Sequence, residues 1–336
     1  MTEQDPDRIE AELEELRDGL TAVRAAIESR VIGQRSVVEG LLWSVLADGH
    51  ALLEGPPGLG KTTLVKSLAD SLELDFRRIQ FTPDLMPADV IGMRILDEDE
   101  NGRRHFVQHR GPIFTNLLLA DEINRATPRT QAALLEAMQE RQVTLFDETS
   151  ILQRPFLVIA TQNPVEMEGT YPLPEAQLDR FIARIDVEAP DVRRLADILD
   201  ATSGAAHEPL AQCLDSTTLV RAQERVRAIL VSRSILERVA ALVHATDPHC
   251  DFAPDTVRAC VRYGSSPRGG QAVVMLAKAR ALMAGRLHVS ADDVEAVAPL
   301  ALRHRLILSY EGEARGVRLD DLVGDALAAS AEVNTK

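Results

Sequence analysis

The chain is short of positive charge, of cysteine and of long apolar runs. Its 37 Lys and Arg are outnumbered by 52 Asp and Glu, for a net charge of −15. A surface this acidic weighs against nonspecific binding to nucleic acid or to an anionic membrane, although a local basic patch can coexist with it. No apolar run is long enough to cross a bilayer. The opening stretch, MTEQDPDRIEAELEEL, is acidic and polar rather than a basic and apolar leader, so a cytoplasmic protein without membrane insertion is expected. The three cysteines, Cys213, Cys250 and Cys260, show no metal-ligand spacing, and their odd number suits a reducing compartment. They read as small buried or half-buried residues. Aromatics are few and apolar content is ordinary. At 336 residues the chain is long enough for two domains and a substantial core.

What is present is concentrated in a few stretches. LLEGPPGLGKTTLV, Leu52 to Val65, fits G-x-x-x-x-G-K-[ST] through Gly55, Gly60, Lys61 and Thr62. A strand over Ala51 to Leu53 would end in a turn built from Gly55, Pro56, Pro57, Gly58, Leu59 and Gly60. A helix would then begin at Lys61 and run through Thr62 and Thr63 to Leu72. Glycines let backbone N–H groups wrap phosphate oxygens, and the helix N-terminus adds partial positive charge. Lys61 would reach the β- and γ-phosphates of a nucleotide, and the Thr62 hydroxyl would ligate Mg²⁺. The flanking strand and helix are the context this motif requires.

Around this loop the pattern alternates strands and helices. Further strands are expected at Phe76 to Phe81, Asn116 to Ala120, Phe156 to Pro164 and Ala183 to Val187. Apolar strands without alternation, separated by helices, predict an α/β fold with a parallel sheet covered on both faces. Such sheets bind ligands at the carboxyl ends of their strands. Those ends carry the phosphate loop, Asp121-Glu122 and Asn163. Asp121 could hold Mg²⁺ directly or through water, and Glu122 could polarise an attacking water. Read alone, the pair could also be a solvated acidic strand end. Asn163 could position the water or touch the γ-phosphate; read alone, it could be a turn residue before Pro164. No Ser–His–Asp or Cys–His nucleophile is apparent, and His304 reads as structural.

The remaining segments set the organisation. Ile9, Leu13, Leu16, Leu20, Val23 and Ile27 form one apolar stripe on a helix within residues 1–30, to dock on its own domain or on a neighbouring subunit. Residues 31–190 form the nucleotide-binding core. Two hairpin inserts are expected within it, at about 92–112 around Asn101-Gly102 and at 142–153. Residues 191–218 read as a linker helix and loop, 219–310 as a helical lid, and 311–336 as a tail of little periodicity, partly mobile.

In order, VIGQ (Val31 to Gln34), GPPGLGKT, LLLADEINRA, TQNP, YPLPEAQLDRF (Tyr171 to Phe181) and GSSPRG resemble the MoxR family of AAA+ ATPases over roughly residues 30 to 310. That family belongs to a clade with a helix-2 insert and a pre-sensor-1 hairpin, shared with magnesium-chelatase ATPase subunits. The resemblance implies a P-loop NTPase core with an all-helical lid, ATP and Mg²⁺ as ligands, and hydrolysis of ATP to ADP and phosphate. It implies Val31 and Ile32 near the adenine, Asn163 as sensor 1, Arg180 as an arginine finger reaching a neighbour's γ-phosphate, and Arg268 as sensor 2. Without it, Arg180 would read as a surface or salt-bridge arginine. A permanently charged planar guanidinium suits both arginine roles. The resemblance also implies a homo-hexameric ring, a partner protein with a von Willebrand factor A domain, and a protein client that is remodelled or activated. The alternative is a chelatase-type motor driving metal insertion into a tetrapyrrole. A nucleic-acid motor is disfavoured by the acidic balance and by DEDENGRRH, which is mixed in sign rather than basic. A switch that hydrolyses little is disfavoured by the presence of Lys61, Asp121 and Glu122 together.

Overall fold

A computed structural model describes residues 6–98, 104–145, 148–164, 170–203 and 210–333. Helix α1 (Pro6–Glu28) buries Leu16, Leu20, Val23 and Ile27, which recur every three or four residues and so share one face. That face packs on α2 (Arg35–Leu46) and α3 (Lys61–Ser71), so the stripe docks on its own chain.

The core sheet contains β1 (Ala51–Glu54), β2 (Phe76–Gln80), β5 (Leu117–Asp121), β8 (Leu157–Gln162) and β9 (Ala183–Asp186). Their spatial order is β2-β5-β8-β1-β9, every pair parallel. In the central strands side chains alternate between two cores, which is why β5, β8 and β1 are largely apolar, whereas the edge strands β2 and β9 carry Arg77, Arg78 and Gln80 and Arg184 and Asp186. Leu53, Leu117, Leu119 and Ile159 face the helices α1 to α3. Leu52, Leu118, Ala120 and Val158 face the second core, with Phe81 and Phe181. Because all strands run the same way, Gly55, Asp121-Glu122 and Asn163 emerge at one edge. His50 and Ile182, which precede β1 and β9, lie at the other.

Two hairpins interrupt the alternation. After α4 (Pro87–Ile91), β3 (Gly92–Glu98) pairs antiparallel with β4 (Arg104–Arg110). After α5 (Pro128–Glu140), β6 (Gln142–Leu145) pairs with β7 (Glu148–Ile151). Both expected inserts are therefore present, and the Asn101-Gly102 turn lies outside the described residues. Met93, Ile95, Leu96 and Phe106 are exposed on the first hairpin and Ile151 on the second. The short α6 (Glu175–Leu178) precedes β9, and α7 (Val192–Ser203) follows it as an exposed helix.

The lid contains α8 (Ser216–Ala228), α9 (Arg233–Ala245), α10 (Asp255–Cys260), β10 (Val261–Tyr263), α11 (Pro267–Met283), α12 (Ala291–Leu302), β11 (Ile307–Leu308), α13 (Tyr310–Arg315) and α14 (Leu319–Val333). It begins a turn earlier than residue 219, because Asp215 caps α8 by accepting the Thr218 N–H at 2.6 Å. Residues after 310 are not a loose tail. Helix α14 packs on α9 and α12 and buries Leu322, Val323 and Ala326. Its alanine-rich, acidic start hid a narrow apolar stripe. Helix α1 also touches α11, and Glu12 pairs with Arg225 of α8 at 2.5 Å, so the first helix bridges core and lid. Among the described residues, no helix is long and apolar enough to cross a membrane.

Candidate active site

The loop from Gly55 to Gly60 leaves β1 and enters α3 at Lys61. Two glycines are dictated by geometry. A side chain at Gly55 would put a Cβ 2.4 Å from the Val187 carbonyl oxygen. Gly60 caps α3 in the left-handed region, at φ 76°, where a Cβ is disfavoured. Pro57, Gly58 and Gly60 are exposed, with Pro56 and Leu59 half-buried, so the loop faces outward. Gln34 of the VIGQ stretch donates to the Leu59 carbonyl at 3.1 Å and ties that stretch to the loop. The Lys61 ammonium donates to the Gly55 carbonyl at 2.5 Å. Burial lowers its pKa, and the nearby Asp121, Glu122 and Glu54 carboxylates oppose that shift. The lysine and the two predicted carboxylates therefore share one electrostatic site. Thr62 is half-buried and Thr63 exposed at the start of α3.

Asp121 ends β5 and Glu122 turns out of it in the left-handed region, at φ 56° and ψ 50°. That backbone is strained for a residue with a side chain. Thr161 of β8 steadies it by accepting the Glu122 N–H at 2.8 Å, and its own hydroxyl donates to Asp121 Oδ1 at 2.6 Å. Asp121 Oδ2 accepts from Arg78 Nη2 at 2.6 Å and from Arg78 Nε at 3.1 Å. Gln80, in register with Asp121, accepts from Arg78 at 2.7 Å and donates to Glu122 Oε2 at 2.8 Å. Arg125 pairs with the same Glu122 oxygen at 3.1 Å. Sequence reasoning missed Arg78, Gln80, Arg125 and Thr161. The available signal was two polar residues at i and i+2 on a strand beside an Asp-Glu strand end.

Asn163 follows β8 at the same edge, nearly buried, and lines a cavity of about 470 Å³ with Glu54, Asn124, Gln162 and His304. Val31 and Ile32 face different ways. Ile32 lines a polar cavity of about 280 Å³ with Gly33, Asp186, Arg303, Arg318 and Asp320. Val31 is buried in the hydrophobic core and does not line it. Arg303 spans that cavity's wall, holding Asp186 of β9 at 2.8 Å and Asp320 of α14 at 3.1 Å.

The two arginines lie elsewhere. Arg180 and Arg268 line one pocket of about 270 Å³ with His50, Asp179 and Arg305, at the sheet edge opposite the phosphate loop. The Ile182 N–H donates to the His50 carbonyl at 2.8 Å, which fixes that end. A four-residue strand separates the edges by roughly 13 Å. Arg180 donates to the Leu135 carbonyl at 2.5 Å, and its Nε is buried with no hydrogen-bond partner among the described residues. Arg268 lies 3.8 Å from Asp179, which also accepts from Arg305 at 2.6 Å. Three guanidinium groups and one carboxylate line this pocket, which leaves it positive. The structure thus joins the loop, Asp121, Glu122 and Asn163 at one edge, and Arg180 with Arg268 at the other.

A P-loop beside an acidic strand end in this strand order, beneath a helical lid, is the arrangement of an AAA+ core. Comparison with known proteins agrees. Residues 50–183 match the ATPase family associated with various cellular activities (AAA), and residues 255–326 match the AAA lid domain. The protein named chaperone MoxR1 of Mycobacterium tuberculosis is 42% identical over 293 residues, spanning 87% of this chain and 77% of the relative. The chain belongs to the MoxR family of AAA+ ATPases. Protein MoxR of Methylorubrum extorquens is 31% identical over 92% of this chain and 94% of its own length. A crystal structure of a candidate ATPase from Cytophaga hutchinsonii superposes with a TM-score of 0.89 at 37% identity, covering 96% of this chain and 97% of that one.

Membership of this AAA+ family implies nucleotide binding, usually with Mg²⁺. The residues fit such a ligand. The outward-facing loop, the helix N-terminus and Lys61 suit phosphate. The Thr62 hydroxyl and the Asp121 carboxylate are hard oxygen donors, few in number, as Mg²⁺ sites beside phosphates usually have.

Proposed function

We propose that this MoxR-family protein hydrolyses ATP within a homo-oligomeric ring, most simply a hexamer, and uses the cycle to remodel or activate a partner protein. The observation that carries the reading is the division of the charged residues between opposite sheet edges. Lys61, Asp121, Glu122 and Asn163 form a phosphate site on one edge, while Arg180 and Arg268 form a positive pocket on the other. A positive pocket that cannot reach its own phosphate loop suits the phosphates of an adjacent copy. The AAA assignment and the chaperone name of the Mycobacterium tuberculosis relative support the ATPase and remodelling parts. The tetrapyrrole-chelatase alternative gains no support from the relatives' names.

In this reading Lys61 and the loop N–H groups hold the β- and γ-phosphates, and Thr62 and Asp121 hold the metal. Mg²⁺, when bound, supplies charge neutralisation across the phosphates. Glu122 accepts a proton from the attacking water, which requires its Oε2 to leave Gln80 and Arg125. Asn163 orients that water. Arg180 and Arg268 stabilise charge on the transferring phosphoryl group of the neighbour. The partner is proposed to carry a von Willebrand factor A domain, docked on the ring.

The test is Glu122→Gln, which keeps size and loses the proton acceptor. It is expected to bind ATP with Mg²⁺ while releasing phosphate at least about 100-fold more slowly, the scale of a lost general base. The ATP-locked variant should also retain partner protein in a pull-down. Phosphate release at the wild-type rate would remove Glu122 from the role of base.

A further inference from the structure

Asp121 is doubly held. A carboxylate oxygen offers about two lone pairs. Arg78 uses both at Oδ2, through Nη2 at 2.6 Å and Nε at 3.1 Å, and the Thr161 hydroxyl uses one at Oδ1. The two partners differ in freedom. The Asp121 side chain is 11% exposed and fixed by Thr161, whereas the Arg78 side chain is 47% exposed at the rim. The guanidinium can therefore leave into water while the carboxylate stays. A guanidinium and a divalent cation cannot both sit on that oxygen, since they compete for its lone pairs and repel each other.

We propose that Arg78 is a stand-in cation for the divalent metal: it holds the Asp121 carboxylate in place and competes with the metal for Oδ2 when metal and nucleotide load. The inference rests on the proposed assignment of Asp121 as the metal-holding carboxylate. It gives a reason for a charged residue in the middle of strand β2, opposite Leu119 in the ladder. It also links loading to the base. Gln80 accepts from Arg78 and donates to Glu122, so departure of Arg78 removes one of the contacts orienting the amide that engages Glu122. Arg78 is a positioning residue in this account, since it acts through the Asp121 carboxylate and the Gln80 amide.

The experiment titrates Mg²⁺ against the full-length protein with a fluorescent ATP analogue and reads bound nucleotide, with a parallel nucleotide titration in EDTA. Arg78→Met keeps most of the side-chain stem and removes the competing charge. Its Mg²⁺ midpoint should fall on the order of 3- to 10-fold, the worth of a half-exposed charge-assisted pair, with affinity in EDTA unchanged. Arg78→Lys, which keeps the charge, should stay closer to the wild-type midpoint. An unchanged or higher midpoint in Arg78→Met would overturn the inference. So would a loss of affinity in EDTA, which would make Arg78 a phosphate contact. Asp121→Asn separates the two claims. If it abolishes the Mg²⁺ response while Arg78→Met shifts nothing, the stand-in role alone fails. If Asp121→Asn responds to Mg²⁺ like the wild type, the metal assignment fails and the inference with it.

Discussion

His50 shows how one side chain at the amino edge of the sheet sets a pH limit. Its Nδ1 accepts the Val158 N–H at 3.0 Å, so the ring proton sits on Nε2, which donates to the Met138 carbonyl at 3.1 Å. A second proton would cost the Val158 bond in a buried site. Burial first, and then the nearby Arg141, lower its pKa from 6.5 to about 4. The folded state thus binds this proton less readily than the unfolded one. The stabilisation is complete above pH 6.5 and is lost as pH falls toward about 4, to the extent of ~3 kcal/mol. Urea midpoints measured between these pH values should fall with acid, and less steeply in His50→Gln. Equal slopes in both proteins would contradict the assignment. Part of the slope should remain in the variant, because His304 is also held well below its ordinary value by burial. At this scale the sequence was partly legible. Lys61, Asp121 and Glu122 were readable because loop spacing and strand ends mark them. Arg78 and Thr161 were not, because their roles depend on which strands are neighbours. Val31 and Ile32 are adjacent in a turn yet face opposite ways, one into the core and one into the cavity.

Helix α14 shows the limit at the scale of the element. The core strands were readable because a parallel strand buried on both faces is apolar at every position, as Leu117 to Ala120 are. The hairpins were readable from apolar arms separated by turn residues. Helix α14 was not, because LDDLVGDALAAS mixes acid and alanine and its buried face is narrow. Tertiary packing supplies what its local pattern lacks. Leu322 is 1% exposed, whereas Tyr310, in the same stretch after the lid's last strand, is 88% exposed. Leu322→Ala is expected to destabilise the lid by about 2–5 kcal/mol, the usual range for a buried leucine. Tyr310→Ala should change little. Chemical unfolding followed by circular dichroism checks both, and equal effects of the two substitutions would mean that α14 is not part of the lid core. The Arg303 bridge from Asp186 to Asp320 adds a second reason why α14 belongs to the folded unit, since it ties the last helix to the strand beside the phosphate loop.

On the scale of the whole molecule, the parallel sheet separates two halves of one proposed reaction site. Its carboxyl edge holds the phosphate loop and carboxylates, and its amino edge holds Arg180 and Arg268. Copies arranged head to tail would bring the amino edge of one against the carboxyl edge of the next, and a closed ring satisfies every such interface. Sequence motifs named the arginines, but their distance from the loop in their own chain became visible only in three dimensions. The most direct measurement mixes two inactive variants. Lys61→Ala subunits retain Arg180 and lose nucleotide binding, while Arg180→Ala subunits bind nucleotide and lack the finger. Each alone should hydrolyse ATP poorly, with the missing finger costing on the order of 10³-fold. Sizing establishes that rings form, and co-purification of differently tagged subunits after mixing establishes that mixed rings have formed. The account predicts that phosphate release then partly recovers, because some interfaces pair a sound finger with a sound nucleotide site. Mixed rings that show no recovery would contradict a site shared between subunits and leave Arg180 a structural arginine bonded to Leu135.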